Sequence, residues 1–473
     1  MLKYVQYLDV VLQEIMEPWQ IPGLAVGLVC GGEVAYAKGF GVQSLDTQSP
    51  VTLDSIFCTT SVSKCFVTTA IMQLAERELI NLDSPLVEYL PYFQMDDERY
   101  KQIKIRQMLS HTSGIPDMEE HQYSAFLSHP EWDDGASERY VRGLKDQKLI
   151  GNPGENFQYS NIAFNVLGDL IAKVTGNTFE GYLKEQVLNP AGMPNSTFLL
   201  SEVPPELLSV PHLCLPDMKV SPFYPYHRAE APASFLHSSI MDMCHWGITC
   251  LNRGTFLDKR ILSKESYDAM WKPVADQGRV RPSMYEEIGL GYTLGHYKGV
   301  KTVSHGGMGF GWSDFFLILP EQNCAAVLLN IEESFSRTEI IRALADVLLG
   351  EKPTAGEVSW MVPISQALSK GGIEAAYTCY EELKFQNDEG IYFDEDDLLG
   401  LSNQLLSVKK MDLAIDVLGL NIHVFPEHID SYIELANLHL SQGDLSAAKG
   451  TLLRALSINP KSAEVTGLLN SIQ

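Results

Sequence analysis

The first twenty residues carry a helical period. Val5, Leu8, Val11, Leu12, Ile15 and Met16 recur every three or four positions, and Asp9, Glu14 and Glu17 fall between them. Two β-rich runs follow, Leu24–Val29 and Glu33–Gly41, joined across Gly31-Gly32 in the manner of a hairpin. From Ser61 to Leu79 the pattern turns helical and strongly apolar, with Phe66, Val67, Ala70, Ile71, Leu74 and Ala75 along it. The middle of the chain, to about residue 270, reads as helical segments broken by Pro and Gly turns. Strand-like runs return at Gly289–Leu294, Lys301–His305, Ser313–Leu319 and Ala325–Asn330. Strands at both ends with helices between them predict one α/β (α+β) domain over residues 1–350, whose sheet joins the two ends.

Residues 351–360, opening Glu351-Lys352-Pro353, read as a linker. Beyond it, residues 361–473 are helical with a repeat of 34 residues: Leu401 returns as Leu435, Ala414 as Ala448, Leu418 as Leu452 and Pro426 as Pro460. This resembles the tetratricopeptide repeat (TPR), with small residues where paired helices touch and proline closing the second helix. Tyr432, Ala436 and Ala455 also fit, His439 stands where an aromatic is preferred, and a half-copy lies around Ala375, Ala376 and Tyr380. So short an array buries too little surface alone. It is expected to pack on the first domain or another subunit, either as a groove for a protein partner or as a structural, self-associating appendage.

Composition narrows the partners. Among 473 residues, 60 are acidic and 35 basic, a formal net charge of −25 that repels phosphate backbones and anionic lipid, so neither nucleic acid nor membrane is an expected partner. No apolar run reaches the roughly 18 residues of a spanning helix, and the acids of the first helix interrupt any signal-peptide core. Eight scattered cysteines without CxxC are expected as reduced, buried thiols of a cytoplasmic protein. Twelve histidines form no His-x-x-x-His or His-Glu-x-x-His pair, so neither metal nor cofactor is expected.

Ser61-Val62-Ser63-Lys64 opens the long apolar helix and places a hydroxyl and an amine one turn apart on one face. A lysine among apolar neighbours loses its charged form and can take the serine proton, and the helix N-terminus favours the oxyanion that develops. The same spacing at Ser407–Lys410 and Ser446–Lys449 reads as solvated surface, so context decides. That context is Tyr159-Ser160-Asn161 on a loop before a helix, and His305-Gly306-Gly307 at a strand end, where glycine lets a substrate lie along the strand.

These three elements, in this order, resemble the serine β-lactamase and penicillin-binding protein superfamily, in its branch of class C-like esterases, D-aminopeptidases and β-lactamase-related proteins. The resemblance covers about residues 5 to 345. Ile103–Pro116 resembles the segment leading to the branch's Ser-Gly loop, and Asn189–Met193 its Pro-Leu-Gly-Met turn. It implies a β-lactamase-like antiparallel sheet flanked by helices. It also implies Ser61 as acylated nucleophile, Lys64 as its proton partner, and Tyr159 as a second candidate base with its phenolate favoured beside a cationic Lys64. Asn161 would hold the substrate, and the N–H groups of Ser61 and Met308, after Gly306 and Gly307, would form the oxyanion hole.

His305 stands where lactamases carry lysine. A neutral imidazole offers no fixed cation to a β-lactam or peptide carboxylate, so the resemblance leans to small ester, amide or short, D-amino-acid-containing peptide substrates, with weak or no β-lactamase activity. Ser234-Phe235 stands where the family carries a glycine pair, and Phe235 is expected to narrow or reshape the cleft. His111 reads as a structural histidine holding its loop. The alternatives are a non-catalytic scaffold whose repeats bind a partner, and an acyltransferase using the same Ser-Lys-Tyr site.

Overall fold

A computed structural model describes residues 2–118, 120–213, 218–278, 283–333, 336–386 and 390–472. The chain forms two compact units, one of Met1–Leu213 with Lys219–Ala355, the other centred on Gly356–Gln473.

The first unit is built on an antiparallel sheet of β1 (Gly23–Cys30), β2 (Glu33–Gly41), β3 (Ala275–Asp276), β4 (Glu287–Ile288), β5 (Thr293–Tyr297), β6 (Val300–Gly309), β7 (Trp312–Leu319) and β8 (Cys324–Asn330). Their order is β2-β1-β8-β7-β6-β5-β4-β3. Gly31 and Gly32 both take positive φ (63° and 85°), which matches the hairpin turn to the strand twist. The N-terminal hairpin closes onto the last strand, with Leu24 opposite Asn330 and Cys30 opposite Cys324.

Around the sheet stand α1 (Leu8–Trp19), α2 (Ser63–Glu76), α3 (Glu120–Leu127), α4 (Ala136–Gly143), α5 (Asn161–Thr175), α6 (Ile240–Leu251) and α7 (Arg337–Leu348). Strands β7 and β8 are buried along their whole length, which explains the apolar runs Phe315–Leu319 and Ala325–Leu329. Helix α6 packs on β1 and β8, and α7 on β8 and α1. Gly27 is where α6 comes closest, since a Cβ there would stand 2.3 Å from Cys244 Sγ. Helix α2 is the centre of the helical half. Every residue from Ser63 to Leu74 is buried, and it packs on α5 and on the short helix Ala231–Ser234.

Two expectations need correcting. The run Gly289–Leu294 is not one strand: Gly291 turns with φ 68°, and the N–H groups of Leu290 and Gly291 bond the carbonyls of Met270 and Leu109 instead of a ladder. Nor are all cysteines reduced. Cys30 and Cys324, 294 residues apart, form a disulfide between β1 and β8, so cysteine usage gives no argument for a reducing compartment. Cys58, Cys65, Cys244 and Cys250 are free and buried, Cys379 is free and partly buried, and Cys214 lies outside the described residues. No helix among the described residues is long and apolar enough to cross a membrane.

In the second unit, α8 (Met361–Gln386) is interrupted at Gly372, and α9 (Asp397–Ser407), α10 (Met411–Val424), α11 (Ile429–Ser441), α12 (Leu445–Ile458) and α13 (Ala463–Ser471) pack each on the next. Ile422, Tyr432, Ala436, Leu452, Ala455 and Val465 form its buried cluster.

Candidate active site

Ser61 lies on the turn that feeds α2. Ser63 Oγ donates to Thr60 O (2.6 Å) and accepts from Leu236 N (2.9 Å), tying the turn to the segment before α6. Thr60 Oγ1 donates to the buried Asp314 on β7 (3.0 Å). Strand β6 runs alongside. A Cβ on Gly307 would stand 1.7 Å from Thr60 Oγ1 and 2.9 Å from Ser61 N, so only glycine lets the strand come this close to the Ser61 turn. Met308 follows in the ladder, opposite Ser313, with its side chain half exposed.

Lys64 is fully buried. Its Nζ donates to Ser61 Oγ (3.0 Å), Asn161 Oδ1 (2.7 Å) and Ala233 O (2.8 Å). Burial lowers its pKa to about 8, opposed by the carboxyls of Glu230 and Asp117. Two of the three partners, a carboxamide oxygen and a carbonyl, can only accept. When the amine is neutral they retain its two N–H groups, and its lone pair is left facing the serine hydroxyl.

The Tyr159 ring stacks on His111 with centroids 4.2 Å apart, and its hydroxyl lies near enough to Ser61 for that side chain to lower its pKa. Lys64 Nζ lies 5.0 Å from that ring's centroid. The residue is 37% exposed, yet desolvation pushes the phenol's pKa up, with the Ser61 hydroxyl opposing. The phenolate expected beside a cationic Lys64 is therefore not favoured. Desolvation moves the phenol away from ionisation, and Tyr159 stands as a neutral O–H.

Asn161 opens α5 behind the N-cap Ser160, whose Oγ accepts from Ala163 N (3.1 Å). Its Oδ1 is held by Lys64, and its backbone N–H and Nδ2 donate to Asp117 (3.2 and 2.9 Å). This carboxamide, expected on the substrate, is aimed at Lys64 and keeps one N–H for anything else.

His305 lies on β6 opposite Phe316 and is 4% exposed. Its Nδ1 is 2.8 Å from Gly306 O; a carbonyl only accepts, so Nδ1 carries the proton and Nε2 bears the bare lone pair. Burial and the Lys64 charge lower its pKa to about 3, which keeps the ring neutral. Arg337 Nη1 donates to Gly307 O (2.8 Å) from the start of α7. His111 accepts from Ser160 N at Nδ1 (3.1 Å) and supports the Tyr159 ring. Phe235 does not narrow the cleft, because its ring is buried against Tyr226, centroids 5.4 Å apart.

Sequence reasoning missed two carboxyls. Asp117 orients Asn161, and its pKa is raised by burial, with Lys64 opposing. Glu230, fully buried, accepts from Tyr123 O–H and Asn165 Nδ2, and its pKa is raised to about 7 by burial. The available signal was an acid beside the small and apolar run Ala231-Pro232-Ala233. Elsewhere Ser431, His428 and Asp396 line up (Oγ–Nδ1 2.9 Å, Nε2–Oδ1 3.1 Å), but Ser431 is fully buried and also accepts from Asn421, which makes this a clamp between helices. Among the described residues no group of three or more His, Cys, Asp or Glu is arranged to hold a metal ion.

The sheet, its helices and this serine–lysine turn define a β-lactamase-like protein. The family model described as Beta-lactamase matches residues 8–349, and the chain belongs to that family. Protein flp of Staphylococcus aureus (strain MW2) is 25% identical over 326 residues, 68% of this chain and 62% of that protein, so the chain spans less than two thirds of that relative's length. Penicillin-binding protein 4 of Amycolatopsis lactamdurans is 26% identical over 338 residues, 70% of this chain and 86% of the relative. The octameric penicillin-binding protein homologue from Pyrococcus abyssi superposes with a TM-score of 0.65 at 25% identity, covering 74% of this chain and 78% of that one. The penicillin-binding protein from Bacillus halodurans, at 21% identity and a TM-score of 0.58, covers 70% of this chain and 99% of its own and shows the fold alone.

Proposed function

We propose that the chain is a serine hydrolase that works through an acyl-enzyme on ester or amide bonds of small or D-amino-acid-containing substrates. The observation that carries this is the Lys64 geometry: two acceptor-only partners hold the amine so that its lone pair meets Ser61 Oγ at 3.0 Å. In acylation, neutral Lys64 takes the Ser61 proton as Oγ bonds to the substrate carbonyl carbon. The N–H groups of Ser61 and Met308 receive the oxyanion. Lys64 is then a cation, and its proton reaches the leaving alkoxide or amine through Tyr159 O–H as the bond to the carbonyl breaks. Water attacks the ester by the reverse route, returning a proton to Lys64 and then to Ser61. Asn161 positions Lys64, and the His305 lone pair receives a donor of the substrate. A neutral residue 305 supplies no cation for a β-lactam carboxylate, which supports weak or absent lactamase activity. If another nucleophile outcompetes water, the same steps make an acyltransferase.

Residues 1–350 form the catalytic domain in this reading, 351–360 the linker, and 361–473 a TPR-like tail that engages a protein partner. The 34-residue recurrence of buried Ala414 and Ala448, and of Leu418 and Leu452, supports the tail assignment. The test is intact-protein mass spectrometry after a fluorophosphonate, with a panel of p-nitrophenyl esters, D-alanyl p-nitroanilides and nitrocefin. One adduct on Ser61, lost in Ser61→Ala, with esters or D-alanyl amides turned over ahead of nitrocefin, is expected. No adduct, together with Ser61→Ala turning over the panel like wild type, would overturn the reading and favour a non-catalytic scaffold.

A further inference from the structure

The carbonyl that holds Lys64, that of Ala233, belongs to the same turn of chain as Glu230. Glu230 has no exposed surface, and its carboxyl is gripped from three elements: Tyr123 O–H on α3, Asn165 Nδ2 on α5 and Ser234 Oγ at 3.3 Å. Tyr140 on α4 adds a hydroxyl 3.5 Å from Asn165 Nδ2. Around Lys64 the charged or titratable groups are Glu230, Asp117, the buried Cys65 thiol, the Tyr159 phenol, and the neutral imidazoles of His111 and His305. Glu230 is the first of the groups that oppose desolvation of the amine. A buried carboxyl is costly wherever packing alone is wanted. Three hydrogen-bond donors on one carboxyl favour its ionised form.

Without that negative charge, burial alone would leave a neutral amine too weakly basic to draw a proton from serine. With it, Lys64 keeps enough basicity to act and still sheds its own proton. Tyr123 extends the arrangement outward, because its ring stacks on Phe310 at the β6–β7 turn, centroids 5.1 Å apart and planes 17° from parallel.

Building on the reading of Lys64 as the base, we propose that Glu230 is a positioning residue for the Ser61–Lys64 pair: its buried carboxylate, fixed by Tyr123, Asn165 and Ser234, sets how readily Lys64 gives up its proton. Glu230 touches no substrate and acts only through the amine.

The test compares Glu230→Gln and Tyr123→Phe with wild type in the full chain. It follows the rate of Ser61 labelling by a fluorophosphonate, and kcat/KM on p-nitrophenyl acetate, from about pH 5.5 to 9.5. Glu230→Gln removes the charge, so Lys64 deprotonates earlier. The acid limb is expected to move down by about one pH unit, with a lower plateau. Tyr123→Phe keeps the aromatic stack and removes one hydrogen bond from the carboxylate, so a smaller shift in the same direction is expected. Midpoints that stay at the wild-type value in folded variants, or that move up, overturn the proposal. If Glu230→Gln does not fold, Tyr123→Phe carries the test.

If wild type itself is not labelled at Ser61, it is the hydrolase reading that fails, and Glu230 is judged by thermal denaturation. Its carboxyl moves from an ordinary 4.5 to about 7 on folding. A raised folded value gives stability that is present at low pH and lost as pH rises through that window. The melting temperature of Glu230→Gln relative to wild type should therefore climb between about pH 5 and 8. A climb that continues without levelling past about pH 8 would show that Glu230 stays protonated in place, and the proposal fails.

Discussion

Replacing Gly307 with alanine tests how tightly β6 is drawn against the nucleophile turn. The added methyl would stand 1.7 Å from Thr60 Oγ1, 2.9 Å from Thr60 Cβ and 2.9 Å from Ser61 N. Ordinary contact begins near 3.5 Å, so about 1.5–2 Å must be found at the first of these. Thr60 cannot swing clear without breaking its bond to Asp314, and β6 is pinned between β5 and β7. Overpacking of this kind costs about 1–3 kcal/mol of stability. A strand displaced by about 1 Å from the nucleophile lowers the rate roughly 10²-fold. Thermal melting and the second-order rate of fluorophosphonate labelling measure the two effects separately. Gly306→Ala is the control: its methyl meets only side-chain ends, at 3.2 Å from Phe315 Cδ2 and Tyr285 Oη and 3.3 Å from Arg337 Nη1, so a much smaller loss is expected. Wild-type labelling and melting in Gly307→Ala would refute the close approach of strand and turn.

The remaining expectations can be checked with the same protein. Because the neutral amine is the active form and Lys64 sits at about 8, kcat/KM on p-nitrophenyl esters should rise with pH through that region, and a flat profile from about pH 6 to 9 contradicts it. Tyr159→Phe keeps the ring on His111 and removes the proton donor, so kcat should fall roughly 10²–10⁴-fold with little change in melting temperature. Cys30→Ser or Cys324→Ser opens a link between residues 294 apart and should cost about 2–4 kcal/mol, seen as matching melting curves for the variant and for reduced wild type.

Much of this was legible in the chain because it is local. The hairpin shows in two β-rich runs joined across Gly31-Gly32, and the Ser61–Lys64 pair shows in one turn's spacing at the mouth of an apolar helix. Other features depend on contacts between distant segments. Strands β3 and β4 have two residues each, too few for any period to appear. Cys30 and Cys324 sit in unremarked apolar runs, and only the closure of β1 onto β8 makes them partners. Glu230 and Asp117 look like solvated acids until α3, α5 and the Ser-Gly loop enclose them. The lysine beside Tyr159 is visible in a motif, whereas the desolvation that raises the phenol's pKa depends on how the chain packs around it.

The central claim is that Lys64 makes Ser61 a nucleophile. Rapid acid quench of wild type and Lys64→Met with p-nitrophenyl acetate, followed by peptide mass mapping, tests it most directly. The account predicts an acetyl group on the peptide bearing Ser61 in wild type and none in Lys64→Met, with both proteins folded. Acetylation at another residue, or equal acetylation of Ser61 without the amine, would contradict it.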